Sequence, residues 1–124
     1  MEARIILVSG NKVLVTSSIG SFWANWCSPI QSEYKNYFVE LDCSDILLPS
    51  SIQHSLSYTP SIVSKNKSVV ITGIAEQIED NILFLRVHSD LLMLEVSDCC
   101  EFSSYLGQYV NISLSHLNIY PTDL

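Results

Sequence analysis

Apolar and polar residues trade places at every second position along most of this chain, and no segment sustains the 3.6-residue period of an amphipathic helix. That alternation predicts strands, because successive side chains of a strand point to opposite faces. Residues 4–9 and 12–17 flank Gly10-Asn11, a dipeptide suited to a tight hairpin turn, and Val13 and Val15 alternate with Leu14 and Thr16. Residues 34–42 are aromatic and β-branched, with Phe38 and Val39 at the centre, and predict another strand.

The second half of the chain reads more clearly. Residues 68–76, 81–87 and 91–97 predict a three-stranded meander, with turns at Glu79-Asp80-Asn81 and at Ser89-Asp90. Its central member, Ile82-Leu83-Phe84-Leu85-Arg86-Val87, is apolar almost throughout and predicts a strand buried on both faces. After Cys99-Cys100, residues 102–105 predict a short helix ended by Gly107. A strand at 108–114 then carries Val110, Ile112 and Leu114 on one face, and Leu117, Ile119 and Tyr120 make a last short strand.

Two stretches depart from the pattern. Residues 19–32 hold Gly20, Phe22, Trp23, Trp26, Cys27 and Pro29; one helical turn would put Phe22 and Trp26 on one face, and Pro29 would end it. Residues 44–67 are rich in serine, contain Pro49 and Pro60, and read as a long connection with one short strand or turn. The expected fold is therefore mainly β: a single domain over residues 1–124, either a small antiparallel β-barrel or a two-sheet sandwich, with one or two short helical turns. The barrel-like arrangement is the preferred of the two. A chain of 124 residues suits one domain and is long enough to bury a core without disulfides or metals.

Met1 is followed by Glu2 and Arg4, and the apolar run Ile5-Ile6-Leu7-Val8 stops at Ser9, too short for a secretory signal. No apolar run approaches the roughly 20 residues of a membrane helix. These features predict a cytoplasmic chain with no membrane partner. In that compartment Cys27, Cys43, Cys99 and Cys100 are expected as free, mostly buried thiols, and the adjacent pair lacks the Cys-x-x-Cys spacing of zinc and redox sites.

Charge is distributed unevenly. Residues 1–67 carry five basic and five acidic side chains, whereas residues 68–124 carry eight acidic side chains against Arg86 alone and so hold the whole net charge of −7. Such a half repels phosphate backbones and anionic lipid, which argues against direct nucleic-acid binding, and it favours a basic protein surface. Glu76, Glu79, Asp80 and Asp90 fall in or beside consecutive turns of the meander, while Glu95, Asp98 and Glu101 follow on the next strand and its exit. Carboxylates converging on one rigid sheet end would meet lysine and arginine clusters well. A solvated acidic rim that serves solubility alone is the competing reading.

Catalytic patterns are missing. The glycines at 10, 20, 73 and 107 are too far apart for a phosphate loop, there is no Gly-x-Ser-x-Gly elbow, and His54, His88 and His116 are scattered. His88 with Asp90 and Glu95, or Cys99 with His116, are the pairings that an enzyme would have to use; strand-end histidines are the plainer account of both. No cofactor or metal ligand set is expected, the spacing of an EF-hand being absent. Among the clustered aromatics Trp23, Trp26, Tyr34, Tyr37 and Phe38, core packing competes with partner anchoring; Trp26, flanked by Asn25, Ser28 and Pro29, is the expected exposed anchor.

Two resemblances bear on these residues. Ile71-Thr72-Gly73-Ile74, Leu106-Gly107-Gln108-Tyr109-Val110 and Leu117-Asn118-Ile119-Tyr120-Pro121 resemble the closing half of an oligonucleotide-binding-type barrel, although barrels of that class bear basic grooves and this half is acidic. The whole chain, with Phe22-Trp23-Ala24-Asn25-Trp26 and Tyr37-Phe38-Val39-Glu40-Leu41-Asp42-Cys43 in a short acidic domain without a catalytic motif, resembles the immunity proteins of bacterial contact-dependent growth inhibition and related polymorphic toxin systems. That resemblance implies binding to a cognate toxin domain, often a basic nuclease, and blocking of its active site. The alternatives are a small ligand-binding or accessory β-barrel with a cavity lined by Phe84 and Leu92, and an edge-pairing structural subunit.

Overall fold

A computed structural model describes residues 1–29 and 35–122. The strands are β1 (Glu2–Ser9), β2 (Lys12–Ser17), β3 (Gly20–Trp26), β4 (Asn36–Asp42), β5 (Ile52–His54), β6 (Ser61–Lys65), β7 (Ser68–Glu79), β8 (Ile82–Val87), β9 (Asp90–Glu95), β10 (Tyr109–Leu114) and β11 (Asn118–Pro121). Five of them close a barrel in the order β1-β2-β3-β11-β4, with β4 returning to β1. The other six form a sheet in the order β5-β10-β7-β8-β9, with β6 also on β7. The chain is thus mainly β, with a barrel and a sheet combined. Among the described strands one pairing is parallel, β11 against β3, because the last strand is inserted between β3 and β4 to complete the barrel; a lone bridge, Leu47 to Val96, is parallel as well.

Local chemistry explains the turns. Ser9 pairs with Lys12, and Gly10 takes φ +63° at the first turn position, a conformation that costs glycine little. Asp80 and Asn81 both adopt positive φ (50° and 61°), the geometry of a two-residue turn that matches strand twist, and these two residue types tolerate it best after glycine. The predicted helix after Cys99-Cys100 is present as two single 3₁₀ turns, Cys99–Glu101 and Ser103–Tyr105, with Phe102 driven fully into the core between them. The serine-rich stretch holds more structure than expected: β5, β6 and a 3₁₀ turn at Pro49–Ser51.

The stretch predicted as a helical turn is strand β3. Phe22, Ala24 and Trp26 alternate into the barrel interior, where Ile5, Val13, Val15, Tyr37, Val39 and Ile119 meet them. Residues spaced by four share a face in a strand as well as in a helix, so the Phe22–Trp26 spacing did not discriminate. Trp26 is accordingly not an exposed anchor. It is 5% exposed, and its ring sits edge-on to Tyr37 at 4.9 Å. Tyr34 lies outside the described residues.

Barrel and sheet share one core. They meet where β3 begins: the Ile62 N–H donates to the Ile19 carbonyl at 3.0 Å, and the Trp23 N–H donates to Ser64 Oγ at 2.8 Å. Gly20 stands at that joint, where a Cβ would lie 2.3 Å from the Ile62 carbonyl oxygen. β7 spans the sheet. Its first half pairs with β6 and β10, and its second half pairs with β8 from Ile74 to Glu79, across a bulge between Ala75 and Gln77.

Candidate functional site

The meander β7-β8-β9 presents its inner face to the core through Leu83, Leu85, Val87, Leu92, Leu94 and Val96, all buried. The outer face is not covered, which corrects the expectation that β8 is buried on both sides. Register places three rows across it. Ile74, Arg86 and Leu91 form one, Gln77, Phe84 and Met93 the next, and Glu79, Ile82 and Glu95 the last. Directly paired residues project to the same side of a sheet, so these rows form one surface. Met93 is 60% exposed and Leu91 43% exposed, with Phe84, Ile82 and Ile74 half-buried beside them. A continuous exposed apolar surface on a sheet face, rimmed by charge, is the pattern of an interaction site.

Phe84 and Leu92 therefore lie on opposite faces of the sheet and do not line one cavity. β9 is also an edge strand. Its hairpin parity turns the backbone groups of Leu91 and Met93 away from β8, and on that side, among the described residues, Leu47 alone bridges to it, at Val96 and the Glu95 carbonyl.

The acidic residues separate into two groups. Glu79 and Glu95 flank Ile82 on the same row, and Asp80 occupies the β7–β8 turn. The exit of β9 is tied back to that turn: the Val96 N–H donates to the Asn81 carbonyl at 2.8 Å, and the Cys99 N–H donates to Asn81 Oδ1 at 3.2 Å. This brings Asp98 and Glu101 to the same end. Asp98 caps the first 3₁₀ turn by accepting from the Cys100 N–H at 3.0 Å. Glu79, Asp80, Glu95, Asp98 and Glu101 thus converge, all exposed.

Glu76 and Asp90 do not join them. Glu76 sits at the bulge and accepts two bonds from Arg86, at 2.8 and 3.4 Å, which holds its carboxyl below the usual range and the Arg86 guanidinium above its own. Arg86 also donates to the Ser89 carbonyl. Asp90 lies at the opposite end of β9, about 16 Å from Glu95 at strand rise, and pairs with the Met1 amino group at 3.2 Å. The sole basic side chain of the acidic half is therefore engaged away from the convergent group, and no described lysine or arginine neutralises those five carboxylates.

Among the described residues no hydrogen bond joins His88 to Asp90 or Glu95. His88 is exposed and its Nδ1 lies 3.5 Å from Ser89 Oγ, while Asp90 bonds the Met1 amino group. No hydrogen bond joins Cys99 to His116 among the described residues, and His116 belongs to the β10–β11 connection. The cysteines are free, but only Cys43 is buried; Cys27 and Cys100 are exposed and Cys99 half-buried. Asp98, Cys99 and Cys100 bring their donor atoms within 4.8 Å of one another. Cys100 shares a hydrogen bond with Cys99 and faces the Asp98 charge, and both raise its pKa. This is opposite to the electropositive setting that makes a thiolate reactive or ligating.

Ile82, Phe84, Leu91 and Met93 escaped sequence reasoning because an unbroken apolar run hides which of its members face outward. The signal was present in the charges: Glu79, Arg86 and Glu95 belong to the same rows and mark the solvated face. No known protein family, curated protein or solved structure matches the chain.

Proposed function

We propose that this chain is a protein-binding domain that docks a basic partner on the outer face of β7-β8-β9, and that the partner is the toxin domain an immunity protein neutralises. The observation that carries the reading is the placement of five unneutralised carboxylates at one end of a sheet face that carries exposed Met93 and Leu91 around a half-buried Phe84. Apolar side chains at the centre of such a face give affinity once water is excluded, and the charged border sets orientation and encounter rate. Glu79, Asp80, Glu95, Asp98 and Glu101 would occupy the lysine and arginine sites that a nuclease uses for phosphate. Glu76 neutralises Arg86 and Asp90 pairs with the Met1 amino group, so both stand apart from the five convergent carboxylates. The same fold disfavours a ligand held inside the barrel, whose interior is filled by Val13, Val15, Phe22 and Ile119, each fully buried.

Co-expression with the polypeptide encoded immediately upstream in the source genome tests this, read as a co-purifying complex and as growth rescue. A stable complex with restored growth is expected. No complex together with no rescue would remove the toxin-neutralising reading.

A further inference from the structure

At the end of β7 remote from the acidic group, a cleft of about 540 Å³ opens between the barrel and the β6–β7 turn. Lys12 and Lys67 line it, together with Trp23, Ser64 and His116. No aspartate or glutamate lines it, and neither lysine meets a carboxylate of any described residue. In a chain that carries only six lysines and arginines against a net charge of −7, this is a local concentration of uncompensated positive charge. The backbone N–H of Trp23 donates to Ser64 Oγ at 2.8 Å, which ties β3 to β6 and leaves the serine hydroxyl proton to be donated elsewhere.

We propose that this cleft binds a small planar anion, an aromatic ring that carries a phosphate group. The ring stacks on Trp23, as bases stack on aromatic side chains. The phosphate sits against the Lys12 and Lys67 ammonium groups and accepts from Ser64, since charge-assisted bonds of this type are the stronger ones. The size matches ordinary small-molecule clefts, roughly 300–1,000 Å³. The site is independent of the acidic face. Ser68 lines the cleft and Glu79 belongs to the acidic end, eleven residues along the same strand, about 35 Å at strand rise.

Adenosine monophosphate, adenosine and inorganic phosphate serve as probes, titrated against the intact chain with tryptophan fluorescence and calorimetry. Trp26 is buried against Tyr37, so Trp23 is the responsive fluorophore. Saturable quenching by the monophosphate is expected with a Kd below about 1 mM, and at least tenfold weaker binding of adenosine and of phosphate alone. Trp23→Phe should remove the quenching, and Lys12→Gln with Lys67→Gln should weaken binding at least tenfold with an unchanged circular dichroism spectrum. No saturable response by either method overturns the proposal. Equal affinity in the double lysine variant overturns it too, as does equal affinity for phosphate alone.

Discussion

Gly20→Ala should loosen the joint between barrel and sheet. Gly20 has φ +138°, a region that L side chains rarely adopt, and an added Cβ would lie 2.3 Å from the Ile62 carbonyl oxygen. The conformational part costs about 1–3 kcal/mol. Relief of the overlap requires Ile62 to retreat by most of an ångström, which lengthens the 3.0 Å bond from the Ile62 N–H to the Ile19 carbonyl, a further ~1 kcal/mol. The sum is about 2–4 kcal/mol, a large fraction of a total stability of roughly 5–15 kcal/mol. In urea, with a slope of about 2 kcal/mol per molar, the midpoint should fall by about 1–2 M. Gly10→Ala is the control: φ is +63° there, and nothing lies within 4 Å of an added Cβ, so only the conformational part applies, about 1–2 kcal/mol. Equal midpoints for the two variants would show that the Gly20–Ile62 approach does not hold the halves together.

Other substitutions probe the core and the surface. Tyr37 is 2% exposed and its hydroxyl has no hydrogen-bond partner among the described residues, so Tyr37→Phe should stabilise the fold by about 1 kcal/mol, seen as a higher denaturation midpoint. A loss of stability would reveal a partner for that hydroxyl. The Glu76 carboxyl is depressed from its ordinary 4.5 by Arg86, so the pair contributes stability above that pH and loses it as pH falls through the lowered value. Glu76→Gln should accordingly be less stable than the parent at neutral pH, with the difference closing in acid denaturation series; a gap that persists in strong acid would contradict the ion-pair account. Met93→Glu, on the exposed outer face, should change stability by no more than about 0.5 kcal/mol and yet speed dissociation of the partner complex; unchanged dissociation would place the contact elsewhere.

Much of the strand pattern was legible because one-sided burial writes itself as alternation. The Gly10-Asn11 and Asp80-Asn81 turns could be located because few residues accept positive φ. Three features were not legible. Phe22 and Trp26 share a face under either period, so tryptophan burial had to await the closure of the barrel. The parallel contact of β11 with β3 joins Asn118 to Asn25 across most of the chain, and no local signal encodes such a pairing. The uniform apolar run in β8 concealed an outer face that is half solvated. The acidic set was recognised residue by residue, but not its division: Arg86 withdraws Glu76, and strand direction carries Asp90 to the far end of β9.

The association rate of the complex as a function of salt, for the parent and for Glu79→Lys with Glu95→Lys and Glu101→Lys, tests the acidic-face account most directly. All three residues are exposed, so the variant should remain folded. The account predicts a parent rate that falls at least tenfold, on the order expected for steered association, between low and high ionic strength, and a variant that associates slowly at every salt concentration. A parent rate indifferent to salt, or a variant that binds as fast as the parent, would contradict it.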